Sequence, residues 1–162
     1  MTDIRQVRPE DAAGIAEIYN GYVTGGVESF ETEPLSCAMM NDRITATASR
    51  HPYFVAEEEG RVTGFCYAHP WKERAAYSHT LETTIYLHPD FKRRGTGTAL
   101  MKRLIEECRH RGYKALIACI TGDNEASIAF HASLGFRQVS LFRNVGYKHG
   151  RWLDVTDMEL LL

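Results

Sequence analysis

A basic turn with two glycines, KRRGTGT at residues 92–98, is the segment of this sequence best suited to bind an anion. An alternating, β-branched run at residues 80–87 precedes it and predicts a strand. Apolar residues at helical spacing follow it over residues 97–111. The first turn of a helix presents unpaired N–H groups and the positive end of the dipole, so it can bind phosphate. Gly95 and Gly97 would permit positive φ and close backbone approach, and Lys92, Arg93 and Arg94 add charged donors.

The turn alone is equally compatible with an ordinary helix cap, and it matches neither the GxxxxGK[ST] nor the GxGxxG pattern. A second polar set favours a ligand site. Asn124, Ser127 and His131 are spaced three and four apart, so they share one face of a helix predicted at residues 124–134. That helix follows an apolar strand predicted at residues 115–120, and polar groups beside a buried strand need partners or a ligand.

The composition excludes several classes of protein. The chain has 162 residues, a formal net charge of -2 and 25% charged residues, which is typical of one globular domain spanning residues 1–162. No global basic field or aromatic-rich basic face favours nucleic acid. No apolar run is long enough for a membrane span or a signal peptide, so we expect a cytoplasmic protein.

The cysteines and histidines do not predict a metal site. The four cysteines are far apart without a CxxC pair, and the seven histidines form no HExxH motif. In a cytoplasmic protein these cysteines should be reduced. Cys66 and Cys119 lie in apolar strand-like runs, which predicts that both thiols are buried.

The elements that must position these residues can be read from periodicity and turn residues. We expect strands at 4–7, 53–57, 62–68, 80–87, 115–120, 137–142 and 155–161, and helices from Pro9 to Gly25, from Ser36 to Arg50, at 97–111 and at 124–134. This order predicts a layered α/β (α+β) domain whose central sheet is mixed, mostly antiparallel and flanked by helices.

Taken together, these motifs resemble the GNAT acetyltransferase superfamily, whose cofactor is acetyl-coenzyme A. The family's diphosphate loop, Gln/Arg-x-x-Gly-x-Gly/Ala, reads KRRGTG here, with a lysine that departs from the pattern but keeps the charge. The asparagine and the helix ending in Gly135-Phe136 match the family's later motif. The segments LETTIY at 81–86 and VGYKHGRWLD at 145–154 look like the phosphinothricin and methionine-sulfoximine N-acetyltransferases.

The resemblance implies a coenzyme site at the strand end, the basic turn and the second helix. The residues it assigns are Ile85, Tyr86, Leu87, Lys92, Arg93, Arg94, Gly95, Thr96, Gly97, Thr98, Asn124, Ser127 and Ser133. It also implies direct transfer of an acetyl group to a primary amine. Glu82 is then the expected base, directly or through a water, although the strand pattern alone leaves it as a possible solvent-facing carboxylate. His131 either protonates the leaving sulfur or only positions the coenzyme.

The amine substrate is expected under the irregular segments and at the end of the sheet. The residues assigned to it are Phe30, Trp71, Lys72, Arg74, Tyr77, Thr83, Thr84, Asn144, Val145 and Gly146, and the last three could come from the same or a neighbouring subunit. Lys72 and Arg74 would hold an α-carboxylate. The resemblance implies a homodimer and a small amino-acid-like substrate. A peptide or polyamine acetyltransferase and a non-catalytic acyl-coenzyme A module remain as alternatives.

Overall fold

A computed structural model describes all residues from Met1 to Leu162. Its 7-stranded sheet has the order β1-β2-β3-β4-β5-β7-β6. The strands are β1 (Asp3–Gln6), β2 (Tyr53–Glu58), β3 (Arg61–Pro70), β4 (Thr80–Leu87), β5 (Ala115–Thr121), β6 (Arg137–Lys148) and β7 (Arg151–Leu161). The α-helices are α1 (Ala12–Gly25), α2 (Cys37–Ala48), α3 (Thr96–His110) and α4 (Glu125–Ser133). This mixed, mostly antiparallel architecture is the predicted one.

Local signals explain most of the boundaries. Ser36 accepts a hydrogen bond from the Met39 N–H and so caps α2. Glu59 and Gly60 both have positive φ, as a tight β2–β3 hairpin requires. Gly112 has φ of 86° directly after α3. The last two strands are longer than predicted, because residues 143–154 continue the hairpin up to a turn at His149 and Gly150.

Two apolar clusters hold the helices against opposite faces of the sheet. On one face α3 packs through Leu100, Met101 and Leu104, which are fully buried. On the other face α1 and α2 pack through a set that includes Ile15 and Ile44. Burying such side chains stabilises a fold by roughly 1.5–3 kcal/mol each. The two helical layers therefore hold the sheet between them.

The only parallel neighbours in the sheet are β4 and β5, and they pair over a short stretch. Their register runs from Thr80 opposite Ala115 to Thr83 opposite Ala118, and no pairing follows. Beyond that point β4 stays on β3 while β5 stays on β7. The two strands consequently separate and open a gap in the middle of the sheet.

This gap corrects one prediction made from the sequence. Cys66 is buried as expected, but Cys119 is exposed, although it lies in a continuous apolar run. Cys119 comes directly after the last β5 residue that pairs with β4, so no strand covers it on that side. An apolar run alone does not reveal where a neighbouring strand turns away.

Candidate active site

The gap between β4 and β5 is the mouth of a cavity of about 820 Å³. One side is formed by α1 and by the segment after it, through Tyr19, Tyr22 and Phe30. The other side is formed by the start of α3 and by α4, through Gly97, Phe130 and His131. Because these helices cover opposite faces of the sheet, the cavity passes through the sheet. It can therefore admit two ligands from different directions.

The end of the cavity near α3 is built to bind an anion. The backbone N–H groups of residues 93–98 donate to no acceptor within the protein. Gly95 caps the helix with a φ of 84°, and Arg93 also has positive φ. Lys92 and Arg93 line the cavity beside these donors. A row of free N–H groups at a helix start, with two cations, fits a diphosphate.

The two glycines of this turn have different structural roles. Gly95 has positive φ, as predicted, and a Cβ there would meet nothing within 4 Å. Gly97 does not use the positive φ that glycine permits, because it lies inside α3. A Cβ on Gly97 would come within 3.2 Å of Leu87 and 3.6 Å of Phe130, so this glycine keeps space between the strand end and α4.

The last residues of β4 present free backbone groups to the gap. Ile85, Tyr86 and Leu87 line the cavity and pair only with β3. Tyr22 donates its phenol hydrogen to the Leu87 carbonyl, and the Lys92 ammonium lies 5.1 Å from the centre of the Tyr22 ring. An amide-bearing chain could add to β4 here as an extra strand.

Helix α4 brings Asn124, Ser127 and His131 to the cavity. The Asn124 side-chain oxygen accepts from the Ser127 N–H, so its amide hydrogens are free to donate to a ligand. Nδ1 of His131 lies 2.8 Å from the Ser127 carbonyl, which assigns a hydrogen to that nitrogen. Burial lowers the pKa of His131, so its Nε2 is an acceptor at neutral pH.

Glu82 lies at the other end of the cavity, on β4. Glu82, Thr84 and Tyr86 point to the α1–α2 face of the sheet, because the Tyr86 ring packs in that cluster while Leu81 belongs to the opposite one. The Glu82 carboxylate lies 3.2 Å from Nε2 of His69. Thr83 and Thr84 line the cavity next to it.

The segment at residues 27–31 forms a wall of the cavity and is held by long-range contacts. The Thr121 hydroxyl donates to the Val27 carbonyl at 2.6 Å. Lys148 donates to the Ser29 carbonyl at 2.6 Å, and the Tyr19 phenol bonds the Ser29 hydroxyl at 2.8 Å. Arg43 pairs with Glu31. This segment is irregular, but its carbonyls are fixed by side chains of the folded domain.

Several predicted substrate residues do not line the cavity. These are Trp71, Lys72, Arg74, Tyr77, Asn144, Val145 and Gly146. The Lys72 ammonium instead lies 4.4 Å from the centre of the Trp71 ring, in a separate cluster on the β3–β4 connection. Gly146 contacts the cavity indirectly, because its backbone packs against the Phe30 ring. The carboxylates that line the cavity are those of Glu28, Glu31 and Glu82.

A few predicted coenzyme residues also lie outside the cavity lining. Arg94, Gly95, Thr96 and Thr98 belong to the basic turn but do not face the enclosed space. The Arg94 guanidinium lies 5.0 Å from the centre of the Phe91 ring. The Ser133 hydroxyl donates to the Phe130 carbonyl on its own helix.

Sequence reasoning missed His69, Tyr19, Tyr22, Glu31 and Lys148. The tyrosines showed only helical spacing, which is the usual signal of a core-facing helix. His69 and Glu82 became neighbours only through the β3–β4 register. A pairing of the two predicted strands could have found His69, whereas nothing local marks Lys148, which is 4% exposed and contacts a segment 119 positions away.

Comparison with known proteins matches this architecture to a described family. The model of the acetyltransferase (GNAT) family matches residues 14–136, most of the chain and all of the elements that line the gap up to α4. The chain belongs to the GNAT acetyltransferase family. It is therefore an enzyme of the acyltransferase class, as the diphosphate-loop and asparagine motifs predicted.

Individual relatives of this chain carry the names expected from the VGYKHGRWLD segment. The phosphinothricin N-acetyltransferase of Streptomyces viridochromogenes is 37% identical, over 94% of this chain and 84% of the relative. The L-methionine sulfoximine/L-methionine sulfone acetyltransferase of Salmonella typhimurium is 36% identical, over 98% of this chain and 94% of the relative. A GNAT phosphinothricin acetyltransferase from Sinorhizobium meliloti, solved in complex with acetyl-CoA, superposes with a TM-score of 0.96. It is 38% identical and covers 99% of this chain and 88% of that one.

No group of His, Cys, Asp or Glu side chains is arranged to hold a metal ion. None of the helices combines the length and the apolar character that crossing a bilayer requires.

Proposed function

We propose that this enzyme transfers the acetyl group of acetyl-CoA to the α-amine of a small amino-acid-like substrate, of the phosphinothricin, methionine sulfoximine or methionine sulfone type. The observation that carries the proposal is the cavity itself. It joins a row of free N–H groups at α3 to the Glu82 carboxylate through a gap in the sheet. The names of the relatives support the substrate class.

In this mechanism the chain binds and orients both reactants. The N–H groups of residues 93–98, with Lys92 and Arg93, hold the diphosphate of the coenzyme. The free edge of β4 at residues 85–87 and the Asn124 amide hold its amide-bearing arm. The bound coenzyme supplies an activated thioester. Ser127 contributes the carbonyl that fixes the His131 ring, and Thr96, Gly97 and Thr98 contribute backbone donors.

Glu82 is the proposed proton acceptor. A free α-amine has a pKa of about 7.7–8.0, so a carboxylate near neutral pH suffices to take its proton. The carboxylate lies at the amine end of the cavity beside Thr83 and Thr84. His131 is proposed to position the coenzyme, since its Nδ1 hydrogen is engaged by Ser127 and burial lowers its pKa.

The carboxylate of the substrate needs a cation that the cavity of one chain does not supply at this end. We propose that a second copy completes the site and that the enzyme is a homodimer. The outer surface of β6 and β7 supports this, because Val145, Tyr147 and Trp152 are 58%, 60% and 66% exposed. Asn144 to Gly146, and the cluster of Trp71, Lys72, Arg74 and Tyr77, would then contribute at the subunit boundary. Light scattering on the purified enzyme should give twice the chain mass.

Two further features belong to the same proposal. Residues 1–162 are proposed to form one acyltransferase domain, since strands from both ends of the chain share one sheet. A cytoplasmic location is proposed because all four cysteines are unpaired, as is usual in a reducing compartment.

A basic amine is the second candidate substrate class. The cavity is lined by the carboxylates of Glu28, Glu31 and Glu82, which would suit a polyamine. Arg43 already neutralises Glu31, which makes the surplus of negative charge small.

A thiol-release assay over a panel of amines tests the proposal. The panel contains methionine sulfoximine, methionine sulfone, phosphinothricin, common amino acids, polyamines and a short peptide. We expect the highest kcat/KM among the first three. Preference for a polyamine would move the function to the second candidate, and acetyl-CoA binding without turnover of any amine would contradict the proposal.

A further inference from the structure

His69, which has no role in the mechanism proposed above, forms a pair with Glu82, the proposed proton acceptor. They are register partners on the neighbouring antiparallel strands β3 and β4. Nε2 of His69 lies 3.2 Å from a carboxylate oxygen of Glu82, and both side chains are about one-third exposed, at 35% and 29%. Glu82 lines the cavity, so the histidine holds the carboxylate from its outer side.

The hydrogen bonds of the ring fix where its protons must be. Nδ1 of His69 lies 3.0 Å from the Pro70 carbonyl oxygen, which can only accept, so Nδ1 carries a hydrogen. The other nitrogen faces a carboxylate oxygen. A hydrogen bond there needs one more proton, carried either by Nε2 or by the carboxyl group. The two side chains together therefore hold one proton between them, and without it two lone pairs face each other.

Titratable groups on several elements surround His69. On its own strand His69 faces the Tyr67 ring at 5.9 Å, and Thr84 of β4 engages the Tyr67 phenol. His51, before β2, interacts electrostatically with His69, and Cys119 of β5 interacts with Glu82. Farther out, Glu31 and Arg43 act on Tyr67 and neutralise each other. The hydrogen bond to Glu82 outweighs burial and raises the pKa of His69 above its usual 6.5.

We propose that the proton acceptor of the acetyl transfer is the His69–Glu82 pair, with His69 a positioning residue that shares the proton taken up by Glu82. The proposal rests on the role of Glu82 proposed above. The active pair lacks the shared proton. In the net transfer the amine nitrogen forms a bond to the acetyl carbon, the thioester C–S bond breaks and coenzyme A leaves as the thiolate. The N–H bond of the amine breaks, and its proton binds between Glu82 and Nε2 of His69. The Nδ1 hydrogen stays on Nδ1, which donates it to the Pro70 carbonyl.

This arrangement has a defined pH consequence. Below the pKa of His69, Nε2 already carries the shared proton, so the imidazole cannot share the proton that leaves the amine. Turnover should therefore fall as the pH drops through a value above 6.5, because the pKa of His69 is raised. A carboxylate without the histidine would still be able to accept the amine proton in that range of pH.

The His69→Gln variant tests the proposal. The amide can still donate a hydrogen bond to Glu82 but cannot bind the shared proton. We expect the acidic limb of the kcat–pH profile to move down by at least about one pH unit, a size typical of pKa shifts in proteins. At pH 8 we expect kcat to fall by about tenfold, less than the roughly 10²–10⁴-fold contributed by general acid–base catalysis. The matched control is His79→Gln, at an exposed histidine just before β4, which should keep the wild-type profile.

A second measurement does not depend on turnover. Histidine labelled with ¹³C at Cε1 can be titrated by NMR, and the His69 signal is the one that is lost in His69→Gln. In the wild type it should titrate above pH 6.5, and in Glu82→Gln it should titrate at lower pH.

The outcomes separate the two proposals. Identical acidic limbs in the wild type and His69→Gln, or an unchanged His69 titration in Glu82→Gln, would overturn the shared proton while leaving Glu82 as the base. Full activity of Glu82→Gln would instead remove Glu82 from the reaction, and the pair with it.

Discussion

The Lys148 ammonium donates a hydrogen bond to the Ser29 carbonyl at 2.6 Å, which ties the β6–β7 hairpin to the wall of the cavity. Lys148 is 4% exposed, and burial lowers its pKa. A second, longer bond of 3.4 Å reaches the Tyr22 carbonyl near the end of α1. One side chain therefore joins α1, the segment at residues 27–31 and the last hairpin.

Replacing this lysine should loosen the wall. Lys148→Met leaves the Ser29 carbonyl without its charged donor, and hydrogen bonds to charged groups contribute about 1.5–3 kcal/mol. We expect the free energy of unfolding in urea to fall by that order and the KM for the amine to rise. Lys114→Met, at an exposed lysine before β5, is the control and should change neither. Unchanged stability of Lys148→Met would show that the bond is dispensable.

Gly95→Val should weaken coenzyme binding more than it weakens the fold. The left-handed φ of 84° costs a branched residue about 1–2 kcal/mol. The strain acts on the turn whose N–H groups are proposed to hold the diphosphate. We expect at least about a tenfold rise in Kd, or 1.4 kcal/mol, by calorimetry. Gly60→Val carries a similar strain in the distant β2–β3 turn, with a φ of 78°, and separates stability from binding. Equal coenzyme affinity in both variants would contradict the assignment.

Glu82→Gln should lower turnover without affecting the coenzyme. The amide keeps the size of the side chain but cannot accept the amine proton, and such groups contribute roughly 10²–10⁴-fold. We expect kcat near neutral pH to fall within that range, while calorimetry gives the wild-type Kd for acetyl-CoA. Equal rates for the variant and the wild type from pH 6 to 9 would exclude Glu82.

Gly146→Ala should disturb the cavity from outside it. A Cβ at Gly146 would lie 2.7 Å from Cζ of Phe30, so the ring must move. Overpacking of this kind costs about 1–3 kcal/mol. Because Phe30 lines the cavity, we expect the KM for the amine to change while the Kd for the coenzyme does not. The control Gly21→Ala adds a methyl group on the open side of α1 and should leave both constants unchanged.

His131 should make stability depend on pH. Burial lowers its pKa in the folded state, so the unfolded chain binds more protons between that value and about 6.5. Above about pH 6.5 the histidine is neutral in both states and does not lower stability. The free energy of unfolding then decreases as the pH falls from that value toward the lowered pKa. Urea unfolding at pH 7.5 and 5.5 should show a smaller loss in His131→Gln than in the wild type, by at most about 1.4 kcal/mol per pH unit. An exposed histidine changed in His110→Gln should not alter the loss.

The sequence predicted the order of strands and helices because the signals are local. Periodicity marked α1 and α3, and Gly112 and Ser36 marked ends of helices. The gap between β4 and β5 could not be predicted, since the loss of pairing after Thr83 depends on what packs around the sheet. The prediction of a buried Cys119 was wrong for that reason.

In the candidate site, too, the local motifs were predicted and the contacts between distant parts of the chain were not. The motifs at residues 92–98 and 124–131 both contribute residues to the same side of one cavity, at the start of α3 and on α4. His69 and Lys148 depend on contacts between distant parts of the chain, and periodicity carries no information on such contacts. The loop of Trp71 to Tyr77 was assigned by its composition, although Lys72 binds its own aromatic neighbours.

The unpaired N–H groups of residues 93–98 and the free edge of β4 also link folding to metabolism. A coenzyme that satisfies them binds the native chain and not the unfolded one, which adds about 2.7 kcal/mol of stability at a concentration of 100 Kd. An increment of that size is a large part of the margin that separates a typical domain from unfolding. The resistance of this enzyme to degradation should therefore rise and fall with the supply of its acyl donor.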